Sequence, residues 1–151
     1  MKHKDDDTII DLETSLIIFK IKQHLLGLDI SSMREVNKMF NFAPVPLAPL
    51  EIKGIINLRS VIITVVDLSL LLGLEPHAFS KKSHNIIFKE KHIALLVEDV
   101  LEVITIETRT IEEIPADFGG FEQRYLSGIV KFEEKLVLIL SPTILMEYHK
   151  Q

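Results

Sequence analysis

The 151-residue sequence contains no cysteine and no tryptophan, and only 7% of its residues are aromatic. Without cysteine the chain has no disulfide, no thiolate nucleophile and no Cys-based zinc site. Lys and Arg number 17 against 22 Asp and Glu, which gives a formal net charge of −5. The chain therefore lacks both the basic stripe and the stacking rings of nucleic-acid binding, and we expect no nucleic-acid partner.

Segments that would direct the chain to or across a membrane are also missing from the sequence. No apolar run approaches the roughly 18 residues of a membrane-spanning helix. The stretch 1–7 ends in three aspartates, where a signal peptide would need an apolar segment. We therefore expect a soluble, cytoplasmic protein without direct membrane insertion. Residues 1–13 are predicted to be a flexible N-terminal segment, and residues 14–150 to form the folded domain.

The remaining composition fits a β protein with a sizeable core. Hydrophobic residues make up 47% of the chain and charged residues 26%, so the chain is not a disordered tail. Short β-rich runs separated by turns predict about eight to ten strands in closed or nearly closed antiparallel barrels. The clearest runs are 16–22, 25–30, 85–88, 92–97, 125–132 and 135–140. Many are apolar on both faces, so their excess apolar surface must cover a second barrel or a partner.

Capping signals predict short helices between the strands. Asp67 can cap a helix over 68–72, and Ser141 before a proline can begin a C-terminal helix that extends to about residue 150. The spacing of Ser32 and Glu35 is that of a capping box and favours a helical turn at this point.

Two longer connections interrupt the strand pattern. Residues 42–49 contain three prolines, which exclude a central strand and predict an extended loop with apolar side chains over a barrel end. Residues 75–83 are predicted to be a connector, because the rhythm of the first half of the chain recurs after them. We therefore place the division between two β-barrel subdomains near residues 75–84.

No motif with the spacing of a catalytic or metal site occurs in the sequence. None of the six histidines forms a helical pair with a carboxylate, and neither a Gly-x-Ser-x-Gly elbow nor a phosphate-binding glycine loop is present. The pairs Glu112-Glu113 and Glu133-Glu134 fall in turns. We predict a protein that is not an enzyme and has no metal and no cofactor. A Ser, His and Asp brought together in space stays open, because the sequence does not show proximity.

The most informative segment runs from Gly54 to Leu68, where Arg59 interrupts an apolar, β-branched run. An arginine between two hydrophobic strands belongs at a strand end or turn, where its charged head can reach water or a partner. Two interpretations are open at this point. Arg59 either contacts a partner or is tied within its own domain to Asp67 or Glu35.

This segment carries a resemblance to a known family. Gly54-Ile55-Ile56-Asn57-Leu58-Arg59, followed by Val65-Val66-Asp67-Leu68, resembles the Gly-x-x-Asn-Leu-Arg-Gly … Pro-Val-x-Asp-Leu signature of CheW-like adaptor proteins. Those are the coupling proteins of bacterial chemotaxis arrays. The likeness extends from about Ser15 to Leu145, and its other matching segments are 28–36, 45–49, 95–100, 125–128 and 136–140.

The resemblance implies an all-β fold of two small five-stranded SH3-like barrels packed together, with short helices including one at the C-terminus. It implies a non-catalytic scaffold in a chemotaxis two-component system. Its partners would be the regulatory domain of a CheA-type histidine kinase and the cytoplasmic tip of methyl-accepting chemoreceptors, lying near the seam between the barrels. The chain alone would be a monomer that assembles with its partners into arrays.

The resemblance also assigns residues. Predicted receptor- or kinase-binding residues are Arg59, Glu35, Asn57, Val36 and Ser60, and predicted structural residues are Gly54, Asp67 and Gly128. Arg59 is the main candidate, because a guanidinium can bridge carboxylates or carbonyls on a receptor helix.

Three departures from the family pattern bear on the choice of partner. Ser60 replaces the usual glycine, Thr64 replaces a proline and restores a backbone donor at an edge, and Glu98 stands where aspartate is usual. One alternative is therefore a divergent scaffold of another chemosensory or pilus-motility pathway. A second alternative is a small-molecule-binding barrel module with the inter-barrel groove as its pocket.

Overall fold

Residues 12–148 are described by a computed structural model, and this range contains ten strands and two short α-helices. The strands are β1 (Glu13–Ile21), β2 (His24–Asp29), β3 (Met33–Asn37), β4 (Ile52–Leu58), β5 (Val61–Asp67), β6 (His84–Phe88), β7 (Ile93–Val97), β8 (Asp99–Glu107), β9 (Leu126–Phe132) and β10 (Lys135–Leu140). The helices are α1 (Leu68–Leu71) and α2 (Pro142–Met146). The predicted flexible segment 1–13 lies almost wholly outside the described residues, and β1 already begins at Glu13.

The strands assemble into two five-stranded sheets, with the orders β8-β1-β2-β10-β9 and β3-β6-β7-β5-β4. Single bridges, Glu112 to Ile129 and Ala43 to Ile55, join the segments after β8 and β3 to the opposite edge strands. Each sheet thereby curls into a small barrel, so the predicted all-β fold of two five-stranded SH3-like barrels is confirmed. We call β1, β2 and β8–β10 the first barrel, and β3–β7 the second barrel.

The two halves of the chain repeat one strand pattern, but the first hairpin of each half lies in the barrel that the other half completes. Ile17–Lys20 in β1 recurs as Ile86–Lys89 at the end of β6, and each copy lies in the first strand of a hairpin. The β1–β2 hairpin pairs with β8 and β10, whereas the β6–β7 hairpin pairs with β3 and β5. This exchange makes one neighbouring pair in each barrel parallel, which corrects the prediction of wholly antiparallel barrels.

The predicted subdomain division near residues 75–84 is wrong for the same reason. Those residues join α1 to β6, and β5 and β6 on either side of this connection both belong to the second barrel. The chain crosses between barrels at Ile30–Ser32 and again at Glu98. Periodicity locates strands in a sequence, but it does not say which strands pair.

β1 shows how a strand that is apolar on both faces is used. Ile17, Phe19 and Ile21 contribute to a core shared by the two barrels, whereas Leu16 and Ile18 belong to a cluster confined to the first barrel. The shared core also holds buried side chains of the second barrel and α1, among them Val66, Leu68, Ile86, Phe88, Leu95 and Val97. Each fully buried side chain of this kind contributes roughly 1.5–3 kcal/mol. The excess apolar surface noted in the sequence therefore fixes one barrel against the other.

Residues 33–37 form β3 and not the predicted helical turn. The carboxylate of Asp29 caps the preceding 3-10 helix, Ile30–Ser32, in place of the predicted capping box. Met33 and Val36 pack against the shared core, and the strand pairs with β6. Burial of these apolar side chains and a full strand ladder outweigh a weak local capping signal.

Two other local predictions also need correction. The proline-rich loop is irregular as predicted, but its apolar side chains cover a barrel only in part: Phe42 packs against a second-barrel cluster, whereas Leu47 is 105% exposed. Helix α2 begins after Ser141 as predicted but ends at Met146, earlier than expected. Residues 149–151 lie outside the described range.

Gly54 lies where β4 meets the segment that closes the second barrel. Its φ is +146°, and an added Cβ would lie 2.6 Å from the Ala43 carbonyl oxygen and 2.8 Å from the Phe42 Cβ. Gly128 holds the equivalent position in β9, where an added Cβ would lie 2.7 Å from Ile111 Cγ2. Both glycines let a neighbouring backbone approach closely enough to close a barrel.

We predict that Gly54→Ala lowers the free energy of unfolding by roughly 2–3 kcal/mol, because a methyl group here collides with backbone and the φ disfavours L-residues. Urea denaturation of the purified chain measures this loss. Gly119→Ala is the matched control, since nothing lies within 4 Å of its added Cβ, and it should change stability by less than about 0.5 kcal/mol. Equal losses in the two variants would contradict the steric explanation.

Candidate partner-binding site

Arg59 and Ser60 form the two-residue turn between β4 and β5. Their φ values are +49° and +73°, so both residues adopt the left-handed conformation of a tight hairpin turn. The side-chain oxygen of Asn57 accepts a hydrogen bond from the Ser60 backbone N–H at 2.9 Å and fixes the turn. Serine at a position that favours glycine costs roughly 1 kcal/mol, so the family's usual glycine has a conformational reason here.

The guanidinium of Arg59 forms an ion pair with the carboxylate of Glu35 on β3. The Arg59 side chain stays 66% exposed and that of Glu35 27% exposed. An ion pair this exposed contributes only about 0–1 kcal/mol to stability. The internal tie to Glu35 is therefore formed, the alternative tie to Asp67 is not, and the guanidinium keeps donors that face solvent.

Four of the five predicted contact residues are brought together at this turn, and the fifth faces another way. Asn57 and Ser60 shape the turn, while Arg59 and Glu35 form its charged surface. Val36 follows Glu35 in an extended strand, so the two side chains point to opposite faces. Val36 is half-buried and packs against the shared core. We call Glu35, Asn57, Arg59 and Ser60 the Arg59 site.

Asp67 lies at the far end of β5 and is fully buried. One carboxylate oxygen, Oδ1, accepts hydrogen bonds from Ser69 N at 3.0 Å and Leu70 N at 3.4 Å, which caps α1 as predicted. The other, Oδ2, accepts from the backbone N–H of His77 at 2.9 Å. Asp67 thus fastens the segment 73–83, which we call the connector, to the second barrel.

His77 is the second anchor of the connector, and sequence reasoning missed it. Its ring Nε2 lies 2.9 Å from Ser83 Oγ, and the residue is only 8% exposed. Burial lowers the pKa of the imidazole, although the nearby Asp67 and Glu98 carboxylates act in the opposite direction. No local pattern marks this pair, because the two residues are six positions apart in an irregular segment.

The pair of Ser83 and His77 is not an exposed nucleophile with its base. Ser83 is fully buried, and Asp67 accepts from the His77 backbone and not from its ring. The triad that the sequence left open is therefore not assembled by these three residues. Within residues 12–148, no group of three or more His, Cys, Asp or Glu side chains could hold a metal ion.

The connector also touches the first barrel through Lys22, in the turn between β1 and β2. Lys22 Nζ donates to the Pro76 carbonyl at 2.7 Å and lies 3.3 Å from Glu98 Oε2. The Lys22 backbone N–H donates to Glu98 Oε1 at 2.8 Å. Lys22 therefore links the connector to Glu98, at the place where the chain crosses between barrels.

Two surface cavities lie away from the Arg59 site. One, of about 620 Å³, is lined by first-barrel strands and includes His24, Leu101 and Leu136. The other, of about 650 Å³, lies between the proline-rich loop, second-barrel residues such as Ile93, and Tyr148. The first cavity therefore lies on the first barrel, and the second lies between the second barrel and the C-terminal segment that follows β10.

Comparison with known proteins shows to which family this architecture belongs. The profile of the CheW-like domain matches residues 15–149, which is most of the chain. The chain belongs to the CheW-like domain family. Chemotaxis protein CheW of Rhizobium meliloti (strain 1021) is 29% identical over 128 residues, covering 83% of this chain and 82% of that protein. Chemotaxis protein CheW of Thermotoga maritima is 28% identical over 131 residues, covering 85% and 84%.

A solved CheW structure has the same fold. The crystal structure of scaffolding protein TtCheW from Thermoanaerobacter tengcongensis superposes with a TM-score of 0.80 at 33% identity. The match covers 86% of this chain and 90% of that chain. Among residues 12–148, no helix is long and apolar enough to cross a membrane.

One departure of this CheW-like chain from its family pattern has a visible structural use. Thr64 stands where proline is usual, and its N–H donates to the His92 carbonyl at 2.9 Å, a bond that proline cannot make. The strand is not an edge, as the sequence suggested, because β5 lies between β7 and β4. The substitution therefore adds a ladder bond in the interior of the sheet.

For this CheW-like domain we predict that Asp67→Ala lowers the free energy of unfolding by about 2–4 kcal/mol. The change removes a helix cap and leaves the buried His77 N–H unpaired. Ser141→Ala is the symmetry-related control, because Ser141 Oγ caps α2 through a single bond to Ile144 N at 3.3 Å. It should cost about 1 kcal/mol or less. Chemical denaturation of both variants measures the difference, and comparable losses would show that the His77 bond adds nothing.

Proposed function

We propose that this chain is a non-catalytic scaffold that couples methyl-accepting chemoreceptors to a CheA-type histidine kinase in chemotaxis signalling. The observation that carries the proposal is the likeness over almost the whole chain to proteins named chemotaxis protein CheW, together with a scaffolding protein of the same fold. The exposed Arg59–Glu35 pair supplies a charged contact point that contributes little to stability.

The Arg59 site suits recognition of a receptor helix. The guanidinium is held at the tip of a rigid two-residue turn, so little conformational entropy is lost when a partner carboxylate or carbonyl binds it. Its present bond to Glu35 occupies only part of a donor set of five N–H groups. A charged hydrogen bond of this kind contributes roughly 1.5–3 kcal/mol once a partner excludes water.

Both barrels also offer apolar surface to a second partner, which we assign to the kinase regulatory domain. Large apolar side chains that are at least 37% exposed include Val45, Leu47, Leu50 and Ile62 on the second barrel and its proline-rich loop, and Leu101, Val103 and Leu136 on the first. Leu101 and Leu136 line one surface cavity, and neighbouring exposed apolar side chains of this kind favour protein–protein contact. A regulatory domain of the same fold could pack barrel to barrel against such a face, with the chain monomeric until it assembles.

We predict that Arg59→Ala weakens binding to a receptor-tip helical hairpin by about tenfold or more, because it removes the exposed charged donor. The melting temperature should stay nearly unchanged, since the ion pair to Glu35 adds little stability. Isothermal titration with a receptor-tip fragment and a thermal melt measure the two effects. A large drop in melting temperature would instead assign Arg59 a structural role.

Arg109→Ala is the matched control for that experiment. Arg109 forms an ion pair with Glu107, at 2.8 Å, that is even more exposed but lies on the first barrel. Its removal should leave receptor binding unchanged. If both arginine variants weaken binding equally, the effect is one of overall charge and not of the Arg59 site.

We further predict that the purified chain co-elutes with a CheA-type regulatory domain in size-exclusion chromatography. Wild type and Arg59→Ala should behave alike, because the kinase is assigned to the apolar faces and not to the Arg59 site. Absence of any complex at concentrations on the order of 10 µM would contradict the scaffold proposal.

A further inference from the structure

The connector is packed against the segment that follows the Glu35-bearing strand. The Phe79 ring lies 5.5 Å from that of Phe40 and 6.2 Å from that of Phe42. Asn85, just after the connector, donates from Nδ2 to the Met39 carbonyl at 2.9 Å. Segment 37–42 therefore contacts the connector and the start of β6, while its Phe40 and Phe42 rings also pack against a second-barrel cluster.

The His77 ring is the link between these aromatic rings and the buried polar anchors. One edge of the ring meets Ser83 Oγ, and the Phe79 ring packs edge-to-face on it with centroids 4.6 Å apart. Ser83 Oγ also accepts from Ser80 N at 3.1 Å, which closes the end of the connector. A change in the His77 ring therefore alters its contacts with both Phe79 and Ser83.

Burial disfavours the protonated His77 ring more than the neutral ring. Nδ1 is buried without a hydrogen-bond partner among residues 12–148, so an added proton there would have no acceptor. The charged groups that face the ring are Asp67 at the end of β5, Glu98 at the barrel crossing, Lys22 in the first hairpin and Lys53 on β4. Asp67 already accepts three backbone N–H groups. Glu98 accepts from the Lys22 backbone through Oε1 and forms an ion pair with Lys22 Nζ, while its buried Oε2 accepts no hydrogen bond among residues 12–148.

We propose that neutral His77 helps to position segment 37–42, whose Phe40 and Phe42 pack against the cluster that contains Leu58, next to the Arg59 site. Acidification then releases the connector and weakens partner binding. The binding half of this proposal rests on the proposed function, whereas the release of the connector concerns the chain alone. His77 acts here as a positioning residue, because it lies away from the exposed surface of the Arg59 site.

The direction of the pH effect follows from proton linkage. Burial lowers the pKa of His77 in the folded chain below its ordinary value of 6.5. The released connector then binds protons more readily than the closed connector does, so closure is fully favoured above about pH 6.5 and is lost as the pH falls towards the folded-state pKa. One titrating group changes the closing equilibrium by at most about tenfold per pH unit.

Hydrogen exchange of the chain alone tests the release. After correction for intrinsic exchange rates, wild-type protection of the amides in the connector (73–83) and in segment 37–42 should fall by up to about tenfold per pH unit below about pH 6.5. His77→Gln, which can bond Ser83 but does not titrate in this range, should show a flat profile. His92→Gln is the control, because His92 is exposed in the turn before β7 and its loss should leave the wild-type profile intact.

An exchange profile that is the same in wild type and His77→Gln would overturn the proposal. A pH-dependent loss of protection that is confined to the connector and leaves segment 37–42 unaffected would also overturn it. If His77→Gln fails to fold, an NMR titration of wild type decides the matter. The His77 ring and the Phe40 and Phe79 rings must then shift with one midpoint below pH 6.5. Separate midpoints would refute the link.

Receptor-tip binding measured at about pH 7.5 and about pH 5.5 completes the test. We expect wild type to lose up to about tenfold in affinity per pH unit and His77→Gln to lose markedly less. Equal losses in both proteins would overturn the binding half. No binding of wild type at either pH would reject the proposed function, while the exchange profile would still decide whether the connector is released.

Discussion

Strands such as β1, β6 and β7 bury both of their faces, and the rest of the architecture depends on how they do so. A single small barrel has one interior, so a strand such as β1 leaves Ile17, Phe19 and Ile21 without cover on its other side. The second barrel supplies that cover. The two barrels are consequently joined by a continuous apolar core, and the polar groups near their junction, Lys22 and Glu98 among them, are engaged in bonds between elements.

The contribution of the sequence to these conclusions can be traced element by element. Alternation and turn residues located the hairpins β1–β2 and β9–β10, because both signals act over a few residues. The same signals could not reveal that β2 pairs with β10, since the partners Leu25 and Val137 are far apart in the chain. Segment 33–37 was misassigned because a capping motif is local, whereas the burial of Met33 and Val36 depends on the whole fold.

The same contrast between local sequence signals and long-range contacts applies to the site residues. The arginine in an apolar run marked the β4–β5 turn, and the family signature drew attention to Glu35. Neither signal could establish that their side chains meet, because that contact depends on β3 and β4 lying at the two edges that close the second barrel. No pattern in the sequence indicated that His77 and Ser83 form a pair. Their pairing exists only because the connector folds back over the buried carboxylate of Asp67.

The discontinuity of the first barrel has a consequence for how the chain acquires its structure during synthesis. Of the described strands, β1 and β2 are synthesised before the others, whereas the strands that flank them, β8 and β10, are synthesised after the whole second barrel. The second barrel is one uninterrupted stretch of chain, so it can be completed while the edges of the hairpin are still unpaired. Until β8 and β10 have been synthesised, the apolar hairpin is open to misassociation, and early docking on the second barrel protects it.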